Sequence, residues 1–195
     1  MLSPAARDIL RGILLLARFR AEGMALFPAT PQAFLNSLAP ILGLTLVQAV
    51  PDALTGELRR AVMRILVSLV LLLAPAVLSH AVARLAHRRG LLTPSEGESL
   101  WLRYMVALNW CQAVFSLAMI MAGLLFGGVS ANPMTAGLPM LALSIYWLAL
   151  YWFMTRIGLQ LSAWRAAFAV LVISLATGVL VLGPEMIGMA VAGNP

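Results

Sequence analysis

The chain has no lysine, a single cysteine, two histidines and only seven acidic residues among 195 positions. Each shortage removes a class of chemistry. Cys111 lies alone in the middle of an apolar segment, so neither an internal disulfide nor a paired-thiolate metal site can form. His80 and His87 share a helical face at a spacing of seven, but a metal centre needs three or four ligands and no third histidine exists. Both histidines therefore read as polar residues at a membrane boundary. The carboxylates fall mostly between apolar runs, with no pair placed to work as general acid and base. No G-x-S-x-G, H-E-x-x-H, Walker-type or G-x-G-x-x-G pattern occurs. The sequence thus gives no catalytic, cofactor-binding or metal-ligating residue, and the expectation is a protein that is not an enzyme.

What is abundant is apolar. Hydrophobic residues make up 62% of the chain and charged residues 10%, well beyond the roughly half-apolar composition of a soluble domain. No soluble core of this size hides so much, which leaves lipid as the solvent. The net charge of +6 comes entirely from thirteen arginines. They are spread beside the apolar segments instead of clustering with aromatics, which argues against nucleic acid and for anchoring at membrane boundaries.

The fold class expected is an all-α, polytopic transmembrane bundle of five spans, preceded by an interfacial amphipathic helix. Residues 1–26 form that helix. On a wheel at 100° per residue, Arg7, Arg11, Arg18 and Glu22 make one stripe, while Ile9, Leu10, Ile13, Leu16 and Phe19 occupy the remainder. Arg7, Arg11 and Arg18 are the expected lipid-surface residues, meeting anionic headgroups as basic amphipathic segments do. A docking helix for a soluble partner would show the same pattern. The arginines interrupt the apolar run and no small-residue cleavage site follows, so no cleaved signal peptide is expected.

Pro28 and Pro31 are expected to break this helix before a membrane domain over residues 33–182. Its spans cover about Ala33–Val50, Val62–Val82, Trp101–Gly127, Leu138–Met154 and Ala166–Leu182. The first is diluted by Asn36, Pro40, Thr45 and Gln48 and ends at Pro51-Asp52. Pro75 lies inside the second. Thr93-Pro94-Ser95-Glu96 reads as a capping box that starts the third helix outside the membrane. Gly128 to Gly137 reads as a turn. The fourth span finishes in Tyr146, Trp147, Tyr151, Trp152 and Phe153 beside Arg156, a membrane-interface signature. Gly183-Pro184-Glu185 is expected to end the fifth and leave residues 183–195 as a short external tail.

The arginines also orient the chain. With the N-terminus inside and the C-terminus outside, ten lie on the inner side and only Arg59, Arg60 and Arg64 on the outer. A re-entrant first span would leave seven against six and erase the bias, so N-in/C-out with five crossings is expected.

The third span carries the one concentrated polar row. Asn109, Gln112, Ser116, Ile120 and Gly123 recur at three- and four-residue steps and share a face, which should point at protein. It reads as interhelical hydrogen bonding or, alternatively, as a polar cavity for a headgroup or small solute. Gly123 with Gly127, and Ser174 with Gly178, are small-residue pairs that suggest close packing of the third and fifth spans.

This layout, with a basic loop after the second span and a third span entered through Arg103-Tyr104-Met105-Val106-Ala107-Leu108-Asn109-Trp110, resembles bacterial members of the Yip family of Ypt/Rab-interacting membrane proteins. The resemblance implies a non-enzymatic integral protein that organises lipids or partner proteins. The all-arginine, alanine- and leucine-rich composition points to a GC-rich bacterium and its inner membrane. Expected partners are membrane lipids and a membrane-protein partner or a second copy of the chain, with no cofactor. A small-solute transporter or channel and an accessory subunit of a larger membrane complex are the alternatives.

Overall fold

The computed structural model describes the backbone of residues 3–88, 94–127 and 133–192, and within these the side chains of all but 83, 85–88, 94, 95, 127, 133–136 and 180–192. The described residues are almost entirely helical. Six α-helices follow one another: α1 (Pro4–Ala17), α2 (Pro31–Leu54), α3 (Leu58–Arg88), α4 (Pro94–Gly127), α5 (Pro133–Gly158) and α6 (Ala163–Ala192). A 3-10 segment, Ala21–Leu26, joins α1 to α2. Four of them, α2 to α5, contain stretches long and apolar enough to cross a membrane, and α6 adds a shorter apolar stretch over Ala163–Val179. The chain is therefore an all-α, multi-pass membrane protein.

The helix starts are written locally. Ser3 accepts the Ala6 amide at 3.2 Å and Thr30 accepts that of Ala33 at 3.2 Å, each with proline at the first helical positions, where no amide hydrogen is missed. Thr93, the N-cap expected for α4, lies outside the described residues, although α4 does begin at Pro94.

Several ends differ from expectation. The N-terminal helix stops at Ala17, eleven residues before Pro28. Phe19 adopts φ 55°, and the amides of Phe19 and Arg20 bond back to the carbonyls of Leu16 and Leu15 at 2.8 and 2.9 Å. That is a Schellman termination, here without glycine at the left-handed position. Glu22 consequently leaves the arginine stripe and pairs with Arg20 at 3.4 Å.

Prolines that should stop helices do not. α2 continues through Pro51-Asp52 to Leu54, α5 starts at Pro133 and contains Pro139, and the α6 backbone runs through residues 183–185 to Ala192. A proline breaks a helix readily where water can take over the freed carbonyl; in an apolar environment the remaining backbone bonds have no such replacement and persist.

The helices alternate in direction, so the start of α2, the end of α3, the start of α4, the end of α5 and the start of α6 gather at one end. α3, α4, α5 and α6 form a ring of neighbouring contacts, and α2 lodges against α3 and α4. α4 and α6 are diagonal in this ring, with no Cα–Cα approach within 8 Å among the described residues. The expected packing of the third and fifth spans through small residues is therefore wrong. Gly123 faces the Met140 side chain of α5, and a Cβ on Gly178 would meet nothing within 4 Å. Small residues permit close approach but do not choose the neighbour.

The core is lopsided. Tyr104, Met105, Val106, Ala107 and Leu108 of α4 are buried on every side, together with Leu150, Tyr151 and Met154 of α5, Val170 and Ile173 of α6, and Ile13, Leu16, Met24 and Phe27 of the N-terminal hairpin. The other half holds only a small cluster of Ile41, Leu72 and Ala113. There Leu46, Val47, Leu124, Leu141 and Val179 are exposed.

Candidate functional site: a buried polar layer at the arginine-rich end

Within the packed half, polar side chains bridge the helices one layer at a time. Asn109 is fully buried and donates from Nδ2 to Ser37 Oγ of α2 at 2.8 Å; Ser37 in turn donates to the Phe34 carbonyl at 2.7 Å. Trp101 Nε1 donates to Ser79 Oγ of α3 at 3.1 Å, and Ser79 donates to the Ala76 carbonyl at 3.1 Å and contacts Met105 Sδ at 3.4 Å. On the opposite side of α4, Tyr104 and Thr155 of α5 share a hydroxyl hydrogen bond of 3.1 Å, and Thr155 donates to the Tyr151 carbonyl at 2.8 Å. α4 is thus tied to α2, α3 and α5 by three links, two buried and the one to α3 partly buried, spaced along about two turns.

The expected polar row is only partly realised. Asn109 fulfils it. Gln112, Ser116 and Gly123 are half-buried, and neither the Gln112 amide nor the Ser116 hydroxyl has a hydrogen-bond partner among the described residues. The row leaves the packed half after Asn109, because the helices that could answer it are covered by so little protein farther along. Tyr104, Thr155, Ser79 and Ser37 were missed from the sequence. Single serines and threonines in apolar helices carry no periodic signal, and their partners lie 72, 51 and 22 residues away along the chain.

The aromatics at the end of α5 do more than mark a boundary. Tyr151 is buried, Trp147 stacks on Phe115 of α4 at 4.6 Å, and Tyr146 and Phe153 receive the edge of Phe19 at 5.9 and 5.4 Å. Tyr146 Oη also donates to the Ala17 carbonyl at 2.6 Å, the last residue of α1. These contacts hold the left-handed Phe19 turn, whose cost without glycine is roughly 1–2 kcal/mol. Glycine spacing completes the fit. A Cβ on Gly12 would stand 2.7 Å from Phe27, and one on Gly158 2.8 Å from Tyr104 and 3.2 Å from Met24. The N-terminal hairpin is therefore docked on the ends of α4 and α5, with Ile13 and Leu16 turned onto protein.

Among the described residues, the interior of this layer has no carboxylate. Its serine and threonine hydroxyls are engaged with backbone carbonyls, and Cys111 is buried among apolar neighbours. Among the described residues three buried side-chain polar atoms lack a partner: His80 Nδ1, Arg103 Nε and Tyr151 Oη. His80 rests against Trp101 at 4.8 Å instead of joining other ligands, and no group of three potential metal ligands occurs among the described residues. His87 has no described side chain. Around the rim stand exposed Arg7, Arg11, Arg18, Arg84, Arg156 and Arg165, with Trp164, 87% exposed, beside the last. At the other end Arg64 pairs with Asp52 at 2.8 Å, and Arg60 pairs with Glu57 at 2.7 Å. No protein-family model matches the chain, and no curated protein or solved structure is significantly similar to it.

Proposed function

We propose that the chain is a non-enzymatic, Yip-like integral protein of a bacterial inner membrane, crossing it five times with the N-terminus inside and the C-terminus outside, and organising lipids or partner proteins at the inner face. The observation that carries this reading is the lopsided build. The end that carries Arg7, Arg11, Arg18, Arg20, Arg84, Arg103, Arg156 and Arg165 is also the end where the polar layer, the aromatic wall and the docked N-terminal hairpin come together. The opposite half is loosely covered, leaving apolar side chains for lipid or a neighbour. Arginine excess on one side sets orientation during insertion, and serine and threonine hydroxyls already engaged with the backbone support a structural role over a chemical one. The helix ends at that arginine-bearing end face water, where a partner protein or headgroup layer can be met. The accessory-subunit alternative draws on the same exposed half, since as little as 17% of the apolar window of α3 or α5 is buried.

A reporter active only in the cytoplasm tests the arrangement. It should work when fused after Arg20, Arg89 or Leu161 and fail after Leu54, Asn132 or the C-terminus. Activity from Asn132 would overturn the five-span topology. Purification of the native protein in mild detergent then tests the role: a lone oligomer with bound lipid supports an organising protein, whereas a stoichiometric membrane partner favours the accessory subunit.

A further inference from the structure

The docked hairpin leaves part of α1 facing outward, and that part is ordered. At 100° per residue its surface divides into lengthwise strips. Ile9, Gly12, Ile13 and Leu16 form the strip turned onto protein. Next to it Leu10 and Leu14, one turn apart, are 46% and 57% exposed. Arg7, Arg11 and Arg18 follow immediately, all exposed, and Asp8 lies beyond them on the far edge. Arg20, Arg60 and Arg64 each have a carboxylate within 3.4 Å, but Arg7, Arg11 and Arg18 have no acidic partner among the described residues. The sequence of strips is protein, exposed leucine, unpaired arginine, carboxylate. A helix lying at a bilayer surface needs this order: leucines reach the acyl boundary, arginines sit at the phosphates and the acid faces water.

An apolar residue exposed on its own needs no explanation. Two leucines one turn apart, bordered along their length by three unpaired guanidinium groups, are a composite surface. Its charge fits one occupant, a layer of anionic phospholipid headgroups. The orientation is also fixed in advance. Tyr146 holds the Ala17 carbonyl, Phe19 is wedged against Tyr146 and Phe153, and Gly12 abuts Phe27. Binding therefore requires no folding of α1, which removes the ordering cost that a free amphipathic segment meets at a membrane.

Resting on the reading that this end lies at the inner membrane face, we propose that α1 is a preformed binding surface for anionic phospholipid, with Leu10 and Leu14 in the acyl boundary and Arg7, Arg11 and Arg18 on the headgroup phosphates. The full chain in a Cys111→Ala background, carrying a spin label at Leu14→Cys, Asp8→Cys or Leu141→Cys, tests this in nanodiscs of phosphatidylcholine with and without phosphatidylglycerol. Expected is a label at 14 relaxed by oxygen and not by a water-soluble nickel chelate, a label at 8 with the reverse preference, and a label at 141 in lipid. A second arm measures phosphatidylglycerol retained by detergent-purified protein. The R7Q/R11Q/R18Q variant should lose its preference for that lipid over phosphatidylcholine by up to about fivefold per arginine. A label at 14 open to the nickel chelate, or shielded from both relaxants as under a protein partner, overturns the proposal while a lipid-facing label at 141 keeps the membrane reading intact. A water-exposed label at 141 would instead remove the reading on which it rests. Unchanged lipid preference in the arginine variant also overturns it.

Discussion

Replacing Asn109 by alanine removes the hydrogen bond that joins α4 to α2 inside the packed half, and the structure sets what that should cost. Asn109 Nδ2 lies 2.8 Å from Ser37 Oγ, both residues are essentially without solvent contact, and Ser37 keeps its bond to the Phe34 carbonyl whether or not Asn109 is present. The deletion therefore leaves Ser37 with a partner. Measured couplings between side chains in membrane helices average about 0.6 kcal/mol and reach about 1.7, and this pair, short and dry, belongs in the upper part of that range. Truncation of a buried side chain also loses packing, so the single variant N109A should be destabilised by about 2 kcal/mol in total. The double-mutant cycle with Ser37→Ala separates the two contributions, because the packing loss at each site cancels. Reversible unfolding in mixed micelles, followed for wild type, N109A, S37A and the double variant, should give a coupling of about 1 kcal/mol. A coupling indistinguishable from zero would refute the assignment of this pair as the α2–α4 link.

Gln112→Leu, in contrast, should leave stability in the same assay unchanged or raised, since the amide is half-buried with no partner to lose. Gly158→Leu should cost about 1–3 kcal/mol and loosen the N-terminal hairpin, seen as faster proteolysis near Arg18 and Arg20, because even a Cβ there stands 2.8 Å from the Tyr104 ring. Gly178→Ala, with open space around the new methyl group, should be neutral or stabilising by up to about 1 kcal/mol, and a large loss would place α6 against a neighbour at that position. Cys111, 4% exposed, should resist a membrane-permeant maleimide in the native protein and react fully once denatured.

Much was legible in the sequence because lipid imposes a simple rule. Without water to satisfy the backbone, every apolar run of sufficient length becomes a helix, so the all-α class and the approximate positions of α2 to α5 followed from hydropathy alone. Capping residues Ser3 and Thr30 are local and readable for the same reason that prolines at 4 and 31 are: their partners lie within one turn. The need of the Asn109 amide for a partner within the protein was equally visible.

Partners and stopping points were another matter, since both depend on what comes close in space. A wheel shows that Ile13 and Leu16 are apolar and cannot show that they meet Phe27 and α4 instead of lipid. Phe19 gives no sign of a left-handed turn; the aromatic wall of α5, more than a hundred residues away, holds it there. The same long-range effect divides the polar row, engaging Asn109 with Ser37 while Gln112, one turn farther along the helix, finds nothing. It also sets α4 diagonal to α6 despite the small residues each carries. Composition and periodicity determined that this chain is helical and lies in a membrane, because those properties follow from each residue's own solvation. Which faces meet protein and which remain open was decided by the tertiary structure alone, because burial is a property of pairs of helices.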